Sequence, residues 1–305
     1  MRRNSFEGRS ISLVGIEVFK VVALFSLSCA LAVSAAQPPP GNLSKAEDLY
    51  KHTSYEASLA LLDKSSNDAA TNFLLGRDYF MLGEYKNAAD ALQKATSERP
   101  ANSDYMDWLG RTYGKRAETA NPLLAPSFAL KARQAFEQAV QLNPKNSEAM
   151  SDLFDFYLNA PGFLGGGYEK ASQIADQMAV IDPPEAYHEK AQLAQKRKEF
   201  TAAEQQFRQA IAAAPQQVGH MISLAKFLAD QGRTRESDEI FLAVERQHPN
   251  DPEVWFAHAD VLIKQKRNLG EAKSLLEKYI QSPVTADDPP KQEAQELLKQ
   301  AGGGA

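Results

Sequence analysis

Apolar and small residues recur along the chain at helical spacing, in paired amphipathic runs broken by turn residues. The clearest pair is residues 69–102, AATNFLLGRDYFMLGEYKNAADALQKATSERPAN. Leu75, Gly76 and Tyr79 mark the first run; Tyr85, Ala88, Leu92 and Ala95 mark the second. Gly83 falls between the two, and Pro100 stops the second because proline cannot continue a helix. Gly76 and Ala88 are small where two antiparallel helices would touch. The pattern predicts a hairpin of two short helices.

The hairpin pattern then repeats. Residues 44–68 form a shortened first unit, with Ser44 as a helix N-cap and Tyr55, Ser58 and Leu62 in the places of Tyr85, Ala88 and Leu92. In 103–146, Leu109, Gly110, Tyr113, Ala132, Phe136, Ala139 and Pro144 match, but the central turn carries an insertion. Pro122 and Pro126 predict that much of this insertion, within residues 114–128, is an ordered loop. In 147–183 the same turn is again lengthened, by APGFLGGGYEKA. Units 184–217, 218–251 and 252–285 return to near-regular length, and 289–300 reads as a capping helix. Before the array, QPPPGNL at 37–43 reads as a linker.

A period of about 34 residues with small contact residues and a terminal proline resembles the tetratricopeptide-repeat family, over roughly residues 44–300. The resemblance implies an all-α, right-handed solenoid of six to seven hairpins plus a cap. It also implies that the first helix of each unit lines a concave groove. Within the family the chain looks like exported bacterial members that serve the cell envelope as non-catalytic scaffolds or adaptors, binding a partner protein or peptide in that groove.

The residues that this pattern leaves free are the candidate site. In the second unit, Phe73, Arg77 and Phe80, with Leu74 and Met81, offer an apolar pocket for a partner side chain, unless the first unit folds over them. In the third, Trp108 with Arg111 could anchor a partner, with Lys115 one turn on; the competing reading packs Trp108 under the insertion. In the fourth, Glu148, Asp152 and Asp155 share one helix face. With Glu185, His188 and Glu189 of the next unit they predict an acidic mid-groove, either solvated or suited to a basic segment. The family's carboxylate clamp is not expected, because Arg77 and Arg111 stand where it has Asn. Both insertions fall on one edge, so Phe163, Leu164, Gly165, Gly166 and Gly167 are expected to join residues 114–128 in a partner-binding protrusion. The within-unit turns are rich in Lys and Arg and the between-unit turns in acids, which predicts a basic and an acidic rim.

Composition narrows the chemistry. The net charge of −5 argues against sequence-wide nucleic-acid binding. The five histidines are spread over four repeats and none forms an i, i+4 pair, so no metal site is expected. No phosphate loop or nucleophile elbow is present, and no cofactor is expected. An enzyme is therefore not expected. A second reading is a small-ligand or glycan-binding accessory subunit of an envelope enzyme or transporter, with Trp108, Phe73 and Phe80 stacking on the ligand. Arg2, Arg3 and Arg9, the apolar run Val21–Val33, and Ser34-Ala35-Ala36 read as an export signal over residues 1–36. Cleavage, lipidation at Cys29 and retention as an anchor are the alternatives, and only the last two attach the chain to a membrane.

Overall fold

The computed structural model describes residues 40–285, 288–289 and 291–302. The expected signal segment, with Cys29, lies outside them. Among the described residues every α-helix belongs to an antiparallel pair or to the cap, and there is no strand. The pairs are α1 (Pro40–Lys51) with α2 (Tyr55–Leu61), α3 (Ala69–Met81) with α4 (Tyr85–Glu98), and α5 (Ser103–Thr119) with α6 (Ala125–Leu142). Next come α7 (Ser147–Asn159) with α8 (Tyr168–Ile181), α9 (Pro183–Lys196) with α10 (Phe200–Ala213), and α11 (Val218–Asp230) with α12 (Thr234–Gln247). The last pair is α13 (Pro252–Lys264) with α14 (Leu269–Gln281), and α15 (Lys291–Gly302) follows. This is an all-α helical repeat solenoid.

The hairpins close because their contact positions are small. A methyl group on Gly76 would lie 2.4 Å from Leu92 Cγ, and one on Gly110 would lie 2.6 Å from the Phe136 ring. Ala88, Ala132, Ala171, Ala203 and Ala272 are fully buried at the equivalent positions of the second helices. Most between-unit turns restart the next first helix with a capping side chain: Asp68 accepts from Thr71 N–H, Asn102 from Tyr105 N–H, Asn146 from Ala149 N–H and Asp182 from Glu185 N–H. At the far end Ala294 is buried, and Leu297 and Leu298 pack on the cluster of Leu262, Leu276 and Tyr279. The apolar face of the last hairpin is thereby sealed.

Two sequence expectations need correction. The helix α1 begins at Pro40, inside the stretch read as a linker. Proline is tolerated in a first helical turn, where its missing N–H has no partner to lose. The insertion of the third unit is mostly helix: it lengthens α5 and α6 and leaves a turn of only residues 120–124. Pro126 sits in the first turn of α6 and starts the helix that it was expected to exclude. The added turns are zipped together, with Arg116 4.1 Å above the Phe128 ring and Lys131 5.4 Å above that of Tyr113.

Candidate functional site

The groove residues lie on the first helices, and the stacking of units places those of neighbouring helices side by side. In the second and third units the expected apolar pocket is filled by Trp108. Its ring meets Phe73 at 6.4 Å and Phe80 at 5.4 Å, edge-on in both cases. Phe73 also stacks on Tyr105 at 4.3 Å. The Arg77 guanidinium lies 4.0 Å over Tyr50 of α1 and 4.9 Å over Trp108, so the first unit does close over this face. Arg111 approaches the same indole, at 5.0 Å. Trp108 is thus a hub that joins three units, and not a residue tucked under the insertion.

Arg111 also gathers carboxylates from two helices. Its Nε lies 3.0 Å from Asp107 and is hydrogen-bonded to Asp152, and its Nη2 lies 2.6 Å from Glu148. Asp107 is 2% exposed, and burial, with Asp152 nearby, pushes its carboxyl up to about 8 against the pull of Arg111. Burial raises Asp152 as well. Burial works against the charge of Arg111, but the three carboxylates outweigh it and hold that charge in place. Much of the expected acidity is therefore compensated inside the protein. Asp107 lies between helices and does not face the groove openly. Lys115 pairs with Glu118 at 2.9 Å along its own helix.

One unit further on the arrangement changes. Asp155 stays exposed, yet the crowded face and the charges of Asp152 and Glu185 push it up to about 6. Glu189 is 1% exposed and accepts from Ser151 Oγ at 2.9 Å, while its other oxygen has no partner. Burial, reinforced by Glu185 and Asp155, pushes it up to about 8 against the pull of the Ser151 hydrogen bond. Burial would raise Glu185 too, but the hydrogen bond and charge of His188 outweigh it and lower this carboxyl. His188 Nδ1 lies 3.0 Å from Glu185 Oε1 and its Nε2 lies 3.0 Å from Ser223 Oγ on α11. Its ring is 5.5 Å from that of His220, which is 4% exposed and whose basicity burial lowers. This convergence was missed by a spacing rule for one helix. His188 and His220 are nearly one repeat apart, which in a stack makes them neighbours.

The second insertion forms a tight turn, with a 3-10 segment at Gly162–Leu164 and Gly165 in the left-handed region at φ 95°. Arg133 of α6 donates to the Leu164 carbonyl at 3.0 Å, and Lys170 donates to that of Gly165 at 2.9 Å. Gly167 N–H donates to the Tyr157 carbonyl at 2.8 Å, and a methyl group on Gly166 would lie 1.8 Å from the Ala160 carbonyl oxygen. Phe163 and Leu123 stay exposed, at 81% and 92%. The turn is therefore bonded to the body of α6, while Phe163 and the Leu123 turn project outward. The basic rim is largely paired: Arg233 binds Glu204 and Glu236, and Arg267 binds Asp238 at 2.6 Å. Arg233 and Arg267 each reach back to the second helix of the preceding unit.

Residues 194–261 match the family model described as tetratricopeptide repeat. A tetratricopeptide repeat protein from Parabacteroides merdae aligns over 86% of this chain and 97% of its own, at 16% identity and a TM-score of 0.55. TTC0263, a thermophilic repeat protein of the same kind from Thermus thermophilus, aligns over 62% of this chain and 97% of its own, at 20% identity and a TM-score of 0.51. Comparison with curated protein sequences returned no match. At these identities the structural likeness speaks to fold alone.

Proposed function

We propose, for a chain that is a tetratricopeptide-repeat protein, an adaptor role in which the first-helix face binds a Lys- or Arg-bearing peptide segment of a partner protein. Repeats of this kind generally mediate protein–protein interaction and are generally non-catalytic. The observation that carries the finer reading is a charge imbalance on α7 and α9. Arg111 serves three carboxylates, and Asp155 and Glu185 lie beyond its reach on the same face. A cationic side chain entering there meets accessible carboxylates at the cost of little rearrangement. The glycan reading has less support, because the Trp108 ring is already engaged by Phe73, Phe80, Arg77 and Arg111. The test is fluorescence anisotropy with length-matched basic and acidic peptides. Basic peptides should bind, and Asp155→Asn should weaken them about tenfold, roughly the value of one lost charge contact. Equal binding of the acidic peptides rejects the reading.

Export to the cell envelope accompanies this proposal, on the strength of the Arg2, Arg3 and Arg9 cluster, the apolar Val21–Val33 run and the small residues after it. Mass spectrometry of the protein made with its own leader in a bacterial host should find a chain beginning after Ala35 or Ala36. An intact leader on soluble cytosolic protein rejects it.

A further inference from the structure

We propose that Glu185, His188 and His220 form a binding site for a divalent transition-metal cation of the zinc class, between α9 and α11. Each offers one ligand atom, and the three atoms lie within 4.8 Å of one another. The set of two imidazoles and a carboxylate suits zinc in a three-ligand site that leaves one position open. The inference shares Glu185 with the peptide reading but stands on the geometry of the two histidines, which that reading does not use.

The hydrogen bonds around His188 define the site. Ser223 Oγ lies 2.8 Å from the Gly219 carbonyl and donates its proton there. Its oxygen must then accept from His188 Nε2–H, at 3.0 Å. That fixes the tautomer of a neutral His188 and turns the lone pair of Nδ1 toward Glu185 Oε1, 3.0 Å away. Two acceptors face each other across that gap, so a proton or a cation must lie between them. Gln192 Nε2, at 3.4 Å from Nδ1, is at the outer limit of hydrogen bonding and does not fill it. Ser223 meanwhile orients the ring from behind, the service that an outer-shell partner performs for a metal-bound histidine.

The second observation is independent of that geometry. His220 is 4% exposed, and its Nε2 is buried with no hydrogen-bond partner. A buried polar nitrogen left unpaired is destabilising unless something binds it. His220 also supplies the third atom of the ligand set. Asp155, Asp182 and Glu189 surround the cluster, so an added cation enters a region rich in carboxyl groups.

The test is zinc titration of the full chain after chelator treatment, read by competition with a chromophoric chelator. The expected result is one tight equivalent. Glu185→Gln and His188→Gln, at half-buried positions that tolerate change, should each weaken it at least tenfold. His220→Gln should do the same, with circular dichroism to confirm folding. Ser223→Ala should weaken it about tenfold through loss of orientation, and His52→Ala, at a fully separate exposed histidine, should not change it. X-ray absorption should show a nitrogen and oxygen shell with two imidazoles. Binding that survives Glu185→Gln and His188→Gln, no stoichiometric binding at all, or a sulfur in the shell, which points to Cys29, each overturns the proposal.

Discussion

The first-helix face is built in two ways along one repeat array. From α3 to α7 it is cemented by permanent cations: Arg77 between Tyr50 and Trp108, and Arg111 between Trp108 and three carboxylates. From α9 to α11 the first helices instead carry His188, His220 and the buried Glu189, at other positions of the repeat. The same backbone scaffold therefore supports a segment held by stacked and ion-paired arginines beside one built on imidazole and carboxyl groups. A groove position that already has every partner it needs cannot offer much to a newcomer.

The comparison can be broken most directly at its hub. Trp108→Ala removes the edge contacts with Phe73 and Phe80 and the platform for both arginines, and should cost about 3–4 kcal/mol in the denaturant unfolding of α3–α7. Hydrogen exchange should show the loss there while protection in α11–α14 persists, since repeats couple only to neighbours. Arg111→Leu should cost about 3 kcal/mol at neutral pH, because Asp107 and Asp152 lose their cation while remaining between helices. A cost under about 1 kcal/mol would mean that the carboxylates simply protonate.

Asp78 sharpens the comparison through pH. It is fully buried, accepts from Ser58 Oγ at 2.7 Å, and burial holds it up to about 7 against an ordinary value of 3.8. The folded chain keeps a proton that the unfolded chain releases. The resulting stabilisation is complete below pH 3.8 and is lost as pH rises through about 7. Asp78→Asn should therefore gain about 2 kcal/mol over the parent at pH 8 and little at pH 4. A gain that is the same at both pH values would remove ionisation as the cause. The smallest effect belongs to the rim: Arg267→Ala, which breaks the half-exposed pair with Asp238, should cost under about 1 kcal/mol and should shrink further in high salt.

The repeat architecture was legible because it rests on volume. Gly76 and Gly110 are small where Leu92 and Phe136 approach within what a methyl group would occupy, and that demand recurs with the period. The helical extension at 114–128 was misread because Pro126 was weighed as a breaker, while its position in a first turn makes it a starter. The filled pocket could not be read from Phe73 and Phe80 alone, since its occupant, Trp108, comes from the next unit and was counted as a separate candidate. The histidine cluster needed the inter-unit distance, which in a solenoid converts a separation of one period into side-by-side placement.

The bond from Arg133 to the Leu164 carbonyl bears on how the chain meets proteases. Phe163 is the projecting aromatic of the 161–168 turn, and a chymotrypsin-like enzyme would cut after it. The new end beginning at Leu164 would still be gripped by α6 through Arg133 and by α7 through the Gly167 N–H bond to Tyr157. The two fragments should then stay together after cleavage and separate only in denaturant.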